Sequence, residues 1–410
     1  MSDHRTPRQF RSLKQLQQFL RDSEPKAGLS YSLMRMEQAV DRLAHPERRY
    51  RVVHVGGTSG KGSTCQMIAS ILQAAGYSVG VYTSPALISP LERIVVNGKS
   101  ITERTALRIT NRLWQHVVNI HPSHFEFFTL LAFQYFADRQ VDYAVVEVGV
   151  GGRLDATNVV QPTVAIVTDI GLDHMNLLGN TKQHIAKDKQ AIIKPSCIGL
   201  TGSRLVKRGE YISLTAAKIH STTLHGTEFD YKSLKKIKLR MLGAYQVRNA
   251  ILAIEATRRL GVASQAIRYG LQQAYQPGRF QVISKHPLVI VDGAHNPQKM
   301  TAFVQSLKQV VPIEQKRVIG LCAIKQTKDS YHTLKPLLPL LDEIILTTFP
   351  RSHSLTELER VIRRLNRTIK VSKVSDAPTA YQQLRTKLRK QDIGLVTGSL
   401  YLIGKLHPVL

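Results

Sequence analysis

Acidic residues are scarce. Against 57 Lys and Arg stand 29 Asp and Glu, a formal net charge of +28. That excess suits nucleic acid, an anionic membrane surface or anionic small substrates. The basic residues are mostly dispersed, and the densest cluster is Lys232, Lys235, Lys236, Lys238 and Arg240. Aromatic residues make up only 6% of the chain. They do not interleave with the basic ones as base stacking requires, so the cluster reads as a solvated strand edge and no nucleic acid partner is expected. No apolar run reaches the roughly 18 residues of a bilayer span, and no membrane partner is expected. Met1 to Ser12 is polar and basic without an apolar core, so no signal peptide is expected. The 3 cysteines, Cys65, Cys197 and Cys322, lie far apart without metal spacing and point to a reducing cytoplasm. A chain of 410 residues with 43% hydrophobic content can bury two cores, so two globular domains are expected, with a monomer as the default.

What is present centres on residues 52–64, Val-Val-His-Val-Gly-Gly-Thr-Ser-Gly-Lys-Gly-Ser-Thr. The β-branched run Val52 to Val55 reads as a buried strand. Met67, Ile68, Ile71 and Leu72 recur at helical spacing after it. A strand, a Gly-rich turn and a helix start make a phosphate cradle, because the turn's backbone N–H groups and the helix N-terminus face an anion. Lys61 would supply charge to the β- and γ-phosphates, and Ser63 or Thr64 a hydroxyl to Mg²⁺. The pattern departs from a strict Walker A, since the leading glycine is Gly56 or Gly57 and Gly62 separates Lys61 from Ser63.

Along the chain, Ser12 to Leu20 and Tyr31 to Leu43 read as amphipathic helices with Pro25 and Gly28 between them. Ser78 to Tyr82 is a strand running into Thr83-Ser84-Pro85, and Arg93 to Val96 with Asn97-Gly98 is a short hairpin. Helices are expected over about 103–118 and 127–138, with His124 to Phe127 between. Val141 to Val148 and Val164 to Thr168 are strands. The first ends in Glu147 to Asn158 and the second in Asp169 to His174. In open α/β sheets ligands bind beyond the carboxyl ends of strands, so both clusters should converge on the phosphate loop. Gly149, Gly151 and Gly152 are not a dinucleotide fingerprint, because Leu154 stands where a third glycine belongs. A helix over 181–192 carries Lys187, Asp188 and Lys189, and on its own Lys189 reads as a solvated lysine. Residues 196–243 yield only short strands and a turn at His225-Gly226. A helix is expected from about Gln246 to Leu260. Beyond Pro277-Gly278-Arg279 strands and helices alternate, giving a second parallel α/β layer. The domains are therefore 1–276 and 277–410.

Glu147, His174 and a hydroxyl such as Ser84 form a mostly oxygen set that suits Mg²⁺ on phosphates. Arg279 and His295 could reach a γ-phosphate if the two domains close on ATP, where they would stabilise a transferring phosphoryl group.

These residues carry a family resemblance. The run Gly57-Thr58-Ser59-Gly60-Lys61-Gly62-Ser63-Thr64 is similar to the phosphate loop of the Mur ligase superfamily. More narrowly, the chain resembles folylpolyglutamate synthase and the bifunctional dihydrofolate synthase. The resemblance runs in order through Tyr82 to Pro85, Phe125 to Phe127, Glu147 to Asn158, Ile170 to His174, Ile192 to Pro195, Gln246 with Asn249, Pro277 to Arg279, Asp292 to Pro297 and Gly398 to Leu400. It implies an α/β fold: a P-loop-containing Mur-ligase-like ATPase domain plus a smaller Rossmann-like C-terminal α/β domain. It implies that ATP phosphorylates a carboxylate of a folate or of dihydropteroate, and that the amine of L-glutamate attacks the acyl phosphate. By the same resemblance Ser84, Glu147 and His174 hold Mg²⁺. Lys189 matches a lysine that is carbamylated in relatives and so becomes an oxygen ligand. Asn249 and Arg279 contact ATP phosphates, His295 lies near the γ-phosphate and Asp292 near the nucleotide.

The chain departs from the family pattern at Ser59, Ala86, Asp169, Tyr245, Asp188 to Ala191 and Ile324-Lys325-Gln326. The changes at 86 and 324–326 fall on the substrate side, so a Mur-type ligase for another carboxylate and amino acid is the alternative. A nucleic-acid-associated P-loop ATPase is the reading from a different class.

Overall fold

The computed structural model describes residues 9–23 and 32–409. The expectations on Met1 to Arg8 and on Pro25, Gly28 and Tyr31 lie outside the described residues. The chain forms two compact units. One comprises residues up to Thr215 with Asn249–Leu271, and the other Ala216–Arg248 with Gln272–Leu410.

The first unit is built on an eight-stranded sheet: β1 (Arg51–Gly56), β2 (Val79–Tyr82), β3 (Ile94–Val96), β4 (Lys99–Ser100), β5 (Tyr143–Glu147), β6 (Val164–Val167), β7 (Ile198–Thr201) and β8 (Glu210–Tyr211), in the order β4-β3-β2-β5-β1-β6-β7-β8. From β2 to β8 all neighbours are parallel, and the hairpin of β3 and β4 is antiparallel. Apart from exposed Arg51, every residue of strands β1, β5 and β6 is buried, as expected of a parallel sheet covered on both faces. Over one face Phe127, Phe128, Phe133 and Phe136 fill a core with Trp114 and Leu16. A smaller core joins Val148, Val167, Ile185 and Ile192.

The helix expected from residue 127 begins earlier, at His124, and ends at Asp138. Ser123 and Glu126 form a reciprocal cap, with Ser123 N donating to Glu126 Oε2 at 2.7 Å. Glu126 also pairs with Arg35 at 3.0 Å. His124 to Phe127 are thus the first turn of the helix and not a linker. The helix Lys182–Lys189 passes into a 3₁₀ turn, Gln190–Ile192.

The second unit contains two sheets. Residues 196–243, hard to read as sequence, include a three-stranded antiparallel meander: β9 (Lys218–Thr223), β10 (Gly226–Tyr231) and β11 (Leu234–Leu239). Strand β11 is an edge, with Lys235, Lys236 and Lys238 exposed and Leu234, Ile237 and Leu239 buried. The basic cluster is therefore a solvated strand edge, as its spacing suggests.

The larger sheet has six strands: β12 (Gln281–Lys285), β13 (Leu288–Asp292), β14 (Val318–Cys322), β15 (Glu343–Leu346), β16 (Lys370–Lys373) and β17 (Ile393–Thr397), in the order β12-β13-β17-β14-β15-β16. It is the expected parallel layer with one addition, the edge strand β12, which pairs antiparallel with β13. Helix Ser264–Gln273 and helix Leu400–Leu406 were not anticipated. Among the described residues no helix is long and apolar enough to cross a membrane.

Candidate active site

Register places the loops. Val55 pairs with Glu147 and Gly56 with Val167, so the chain leaves β1, β5 and β6 side by side at one edge of the sheet. After β1, Gly57 has φ +136°, and a Cβ there would lie 2.0 Å from Thr168 Oγ1. Gly60 has φ +83°, and a Cβ would lie 2.2 Å from Asn249 Oδ1. Only glycine fits this path. The second contact also shows that Asn249 lies against the loop. Thr58 N donates to Asp169 O at 2.9 Å, and Gly171 N donates to Thr58 Oγ1 at 3.0 Å. The loop is thereby tied to the segment after β6.

Lys61 Nζ donates back to Gly57 O at 3.1 Å. Lys61 opens the helix Lys61–Ala74, and the N-cap residue, Gly60, has no side chain to cap it. Its first turn therefore keeps the positive end of the helix dipole for an anion. The buried hydroxyls Ser59 Oγ and Thr64 Oγ1 have no hydrogen-bond partner among the described residues. An orphaned buried hydroxyl is costly unless a ligand satisfies it, and a hydroxyl oxygen fits Mg²⁺.

Glu147 ends β5, is 4% exposed, and accepts Ser84 N at 2.9 Å on Oε2. This brings two of the expected metal residues together. His174 stands apart in character. It is exposed, has φ +51° and lies 3.9 Å from Asp173 Oδ1. Among the described residues no three His, Cys, Asp or Glu side chains converge into a cage. An ion here would take most of its ligands from phosphate and water, which is the habit of Mg²⁺.

Lys189 overturns the reading as a solvated lysine. It is 5% exposed, and its Nζ lies 3.4 Å from Gly151 O. Burial, reinforced by the Lys61 charge, lowers its pKa to about 8. The glycines opposite explain how it is buried. A Cβ on Gly152 would lie 2.8 Å from Lys189 Cα, and one on Gly151 2.7 Å from Asp188 Oδ1. These glycines make room for a helix end.

Sequence reasoning missed a buried chain beneath the loop. His54 Nε2 lies 2.8 Å from Thr157 Oγ1, and Thr157 Oγ1 donates to Asp155 Oδ1 at 2.5 Å. Asp155 also accepts Val150 N at 2.9 Å. Burial raises the Asp155 pKa and, with the Lys194 charge second, lowers that of His54 to about 3. The available signal was a lone histidine inside a β-branched run.

In the second unit, Asp292 ends β13 and accepts Phe280 N at 2.7 Å, Ala294 N at 2.8 Å and Tyr245 Oη–H at 3.4 Å. Burial raises its pKa, and Arg279 opposes that rise. His295 Nδ1 lies 2.8 Å from Gly293 O. Asn296 caps the helix Pro297–Val310 by accepting Lys299 N at 2.9 Å.

Comparison with known proteins agrees with this geometry. Residues 55–198 match the Mur ligase middle domain, and residues 278–400 the Mur ligase glutamate ligase domain. The dihydrofolate synthase/folylpolyglutamate synthase of Bacillus subtilis is 34% identical over 94% of this chain and 96% of its own. The structure of E. coli FolC in complex with DHPP and ADP superposes with a TM-score of 0.87 at 29% identity, covering 98% of this chain and 99% of that one. A bifunctional folylpolyglutamate synthase/dihydrofolate synthase with Mn, AMPPNP and L-glutamate bound does so with 0.85 at 29% identity, covering 98% and 99%.

Proposed function

The chain belongs to the folylpolyglutamate synthase/dihydrofolate synthase family, and from this premise we infer that it is an ATP-dependent ligase joining L-glutamate to a folate. The observation that carries the reading is the gathering of the phosphate loop, buried Glu147 and buried Lys189 at one sheet edge. Relatives solved with ADP, with DHPP and with L-glutamate support the substrates.

The chemistry follows from the residues. Gly57 to Thr64, with Asn249, cradle the ATP phosphates, and Lys61 offsets their charge. The substrate carboxylate attacks the γ-phosphoryl group, ADP leaves, and an acyl phosphate remains. The glutamate amine attacks its carbonyl carbon, phosphate departs, and a proton is lost to leave an amide. Arg279 and His295 serve the phosphoryl group and Asp292 the nucleotide. Ser84, Glu147 and His174 would hold Mg²⁺, with Lys189 as a further ligand once its amine has added CO₂ and lost a proton. Bound Mg²⁺ offsets phosphate charge during transfer. A pKa of about 8 leaves part of Lys189 neutral at physiological pH, which carbamylation needs. We place the domain boundary between 276 and 277, on the strength of the matched range beginning at 278. The protein acts as a cytoplasmic monomer in this reading.

The test is phosphate release with Mg-ATP and glutamate, comparing no acceptor, dihydropteroate and tetrahydrofolate, with product mass read in the same tubes. A gain of one glutamyl unit identifies the acceptor. No turnover with either acceptor, in protein that binds ATP, would instead mean a Mur-type ligase with a different carboxylate substrate.

A further inference from the structure

A directed chain of hydrogen bonds runs under the phosphate loop, wholly within the first unit. His54 belongs to β1, where it pairs with Val146 of β5 and Ala165 of β6, and it is fully buried. Its Nε2 lies 2.8 Å from Thr157 Oγ1, and Thr157 Oγ1 lies 2.5 Å from Asp155 Oδ1. Asp155 accepts main-chain N–H groups on both oxygens, Thr157 N on Oδ1 at 3.0 Å and Val150 N on Oδ2 at 2.9 Å. Its carboxylate is therefore the acceptor that ends the chain. A threonine hydroxyl has one proton, and Thr157 gives it to Asp155. Burial keeps the His54 ring neutral, with its pKa lowered to about 3. Thr157 Oγ1 must accept from that ring, so the single ring proton sits on Nε2. Nδ1 is then bare, and it has no hydrogen-bond partner among the described residues. All the hydrogen bonding of the His54 ring is directed at residues 149–157.

The far end of the chain is a turn that packs on Lys189. Asp155 binds Val150 N, and the next residue, Gly151, presents its carbonyl oxygen 3.4 Å from Lys189 Nζ. Gly152 follows, and a Cβ there would lie 2.8 Å from Lys189 Cα. At such clearance the turn cannot shift without moving Lys189.

We propose that His54 is a positioning residue for the ligase reaction, holding the turn at 150–152 against Lys189 through Thr157 and Asp155. The inference rests on the ligase reading, in which Lys189 is a metal ligand. A histidine inside an apolar strand costs stability unless its hydrogen bond is made, and here the bond goes to the turn that covers Lys189.

The experiment has two readouts on the full chain. One is the rate at which the Lys189 amine is acetylated in bicarbonate-free buffer, read by peptide mass against exposed Lys187. The other is kcat, with KM for ATP, in glutamate-dependent phosphate release. Thr157→Val keeps the shape and removes the link, His54→Leu removes the donor, and His54→Gln keeps an N–H donor. Thr157→Val and His54→Leu should each speed Lys189 acetylation about tenfold and lower kcat about tenfold, with KM for ATP within about twofold. His54→Gln should stay within about threefold of wild type on both readouts. The double variant, His54→Leu with Thr157→Val, should be no worse than the worse single one, because both cut the same chain. Unchanged Lys189 acetylation in Thr157→Val, His54→Gln as damaged as His54→Leu, or losses that multiply in the double variant would overturn the proposal. Acetylation that depends on Thr157, in a protein that never transfers glutamate, removes the ligase reading and leaves the link to Lys189 standing. Unchanged acetylation in an active ligase removes only the role of His54.

Discussion

The turn after β1 and the turn after β13 each follow the end of a strand with a parallel neighbour, and each leads into a helix of 14 residues. They treat their backbones differently. The first holds Gly57 and Gly60 at positive φ and starts its helix from a glycine N-cap. The second uses three of its amides internally: Ala294 N to Asp292, Gly293 N to Gly278 O at 2.9 Å, and Lys299 N to Asn296. In the proposed reading the first turn holds phosphate through main chain and helix dipole, with Lys61 adding charge. In the proposed reading the second turn acts on phosphate through the side chains of Arg279 and His295. One site is built mostly from backbone shape and the other from residue identity, so substitutions should affect them differently.

The largest effect should come from removing the one cation of the first turn. Lys61→Met should lower glutamate-dependent phosphate release about a thousandfold, and a loss under tenfold would mean that the backbone alone suffices. Shape should matter next. Gly57→Ala must displace Thr168 from a 2.0 Å contact at positive φ, and should cost about 3 kcal/mol in urea unfolding. A fully stable variant would deny that the glycine is demanded by the loop path.

The third effect is in pH. His54, beneath the first turn, titrates near about 3 when folded and near about 6.5 when unfolded. The unfolded chain therefore takes up the proton first. The stability His54 contributes is complete above about pH 6.5 and falls as pH drops toward its folded value, by about 2 kcal/mol at about pH 5. His54→Gln should flatten this part of the stability profile, and identical slopes for the two proteins would refute the assignment. The smallest effect belongs to the second turn. Asn296→Ala should cost about 1 kcal/mol of stability as a lost cap while leaving ADP affinity unchanged. A clear loss of ADP affinity would show that this turn, too, binds through its backbone.

What could be read from the sequence follows the same division. Gly57 to Thr64 and Asp292 to Pro297 were legible because each contains its own chemistry within a few residues of a strand end. The burial of Lys189 was not. It depends on Gly151 and Gly152, nearly forty positions earlier, and their role as packing room emerges only once β5 and β6 are paired side by side with β1. His54 was hidden for a related reason, since its partner Thr157 lies 103 positions away. The early start of the helix at His124 was missed although its signal was local, a Ser123–Glu126 cap preceding an apolar run. Strand β12 went unread because its antiparallel pairing breaks the alternation expected after residue 277.

The meander in the second unit has a consequence for how these molecules meet in solution. An outer strand is a row of unused main-chain hydrogen-bonding groups on which another chain can crystallise a ribbon. On β11 the side chains around that row are Lys235, Lys236 and Lys238, all exposed. Lys235 is paired with Asp230 at 3.5 Å, so a second copy arriving strand to strand would set Lys236 and Lys238 of each chain against those of the other, and their repulsion opposes the ladder. The barrier weakens as salt shortens the reach of charge, to about 8 Å at physiological ionic strength. An arrangement that looks superfluous to ligation is thus a guard against self-association.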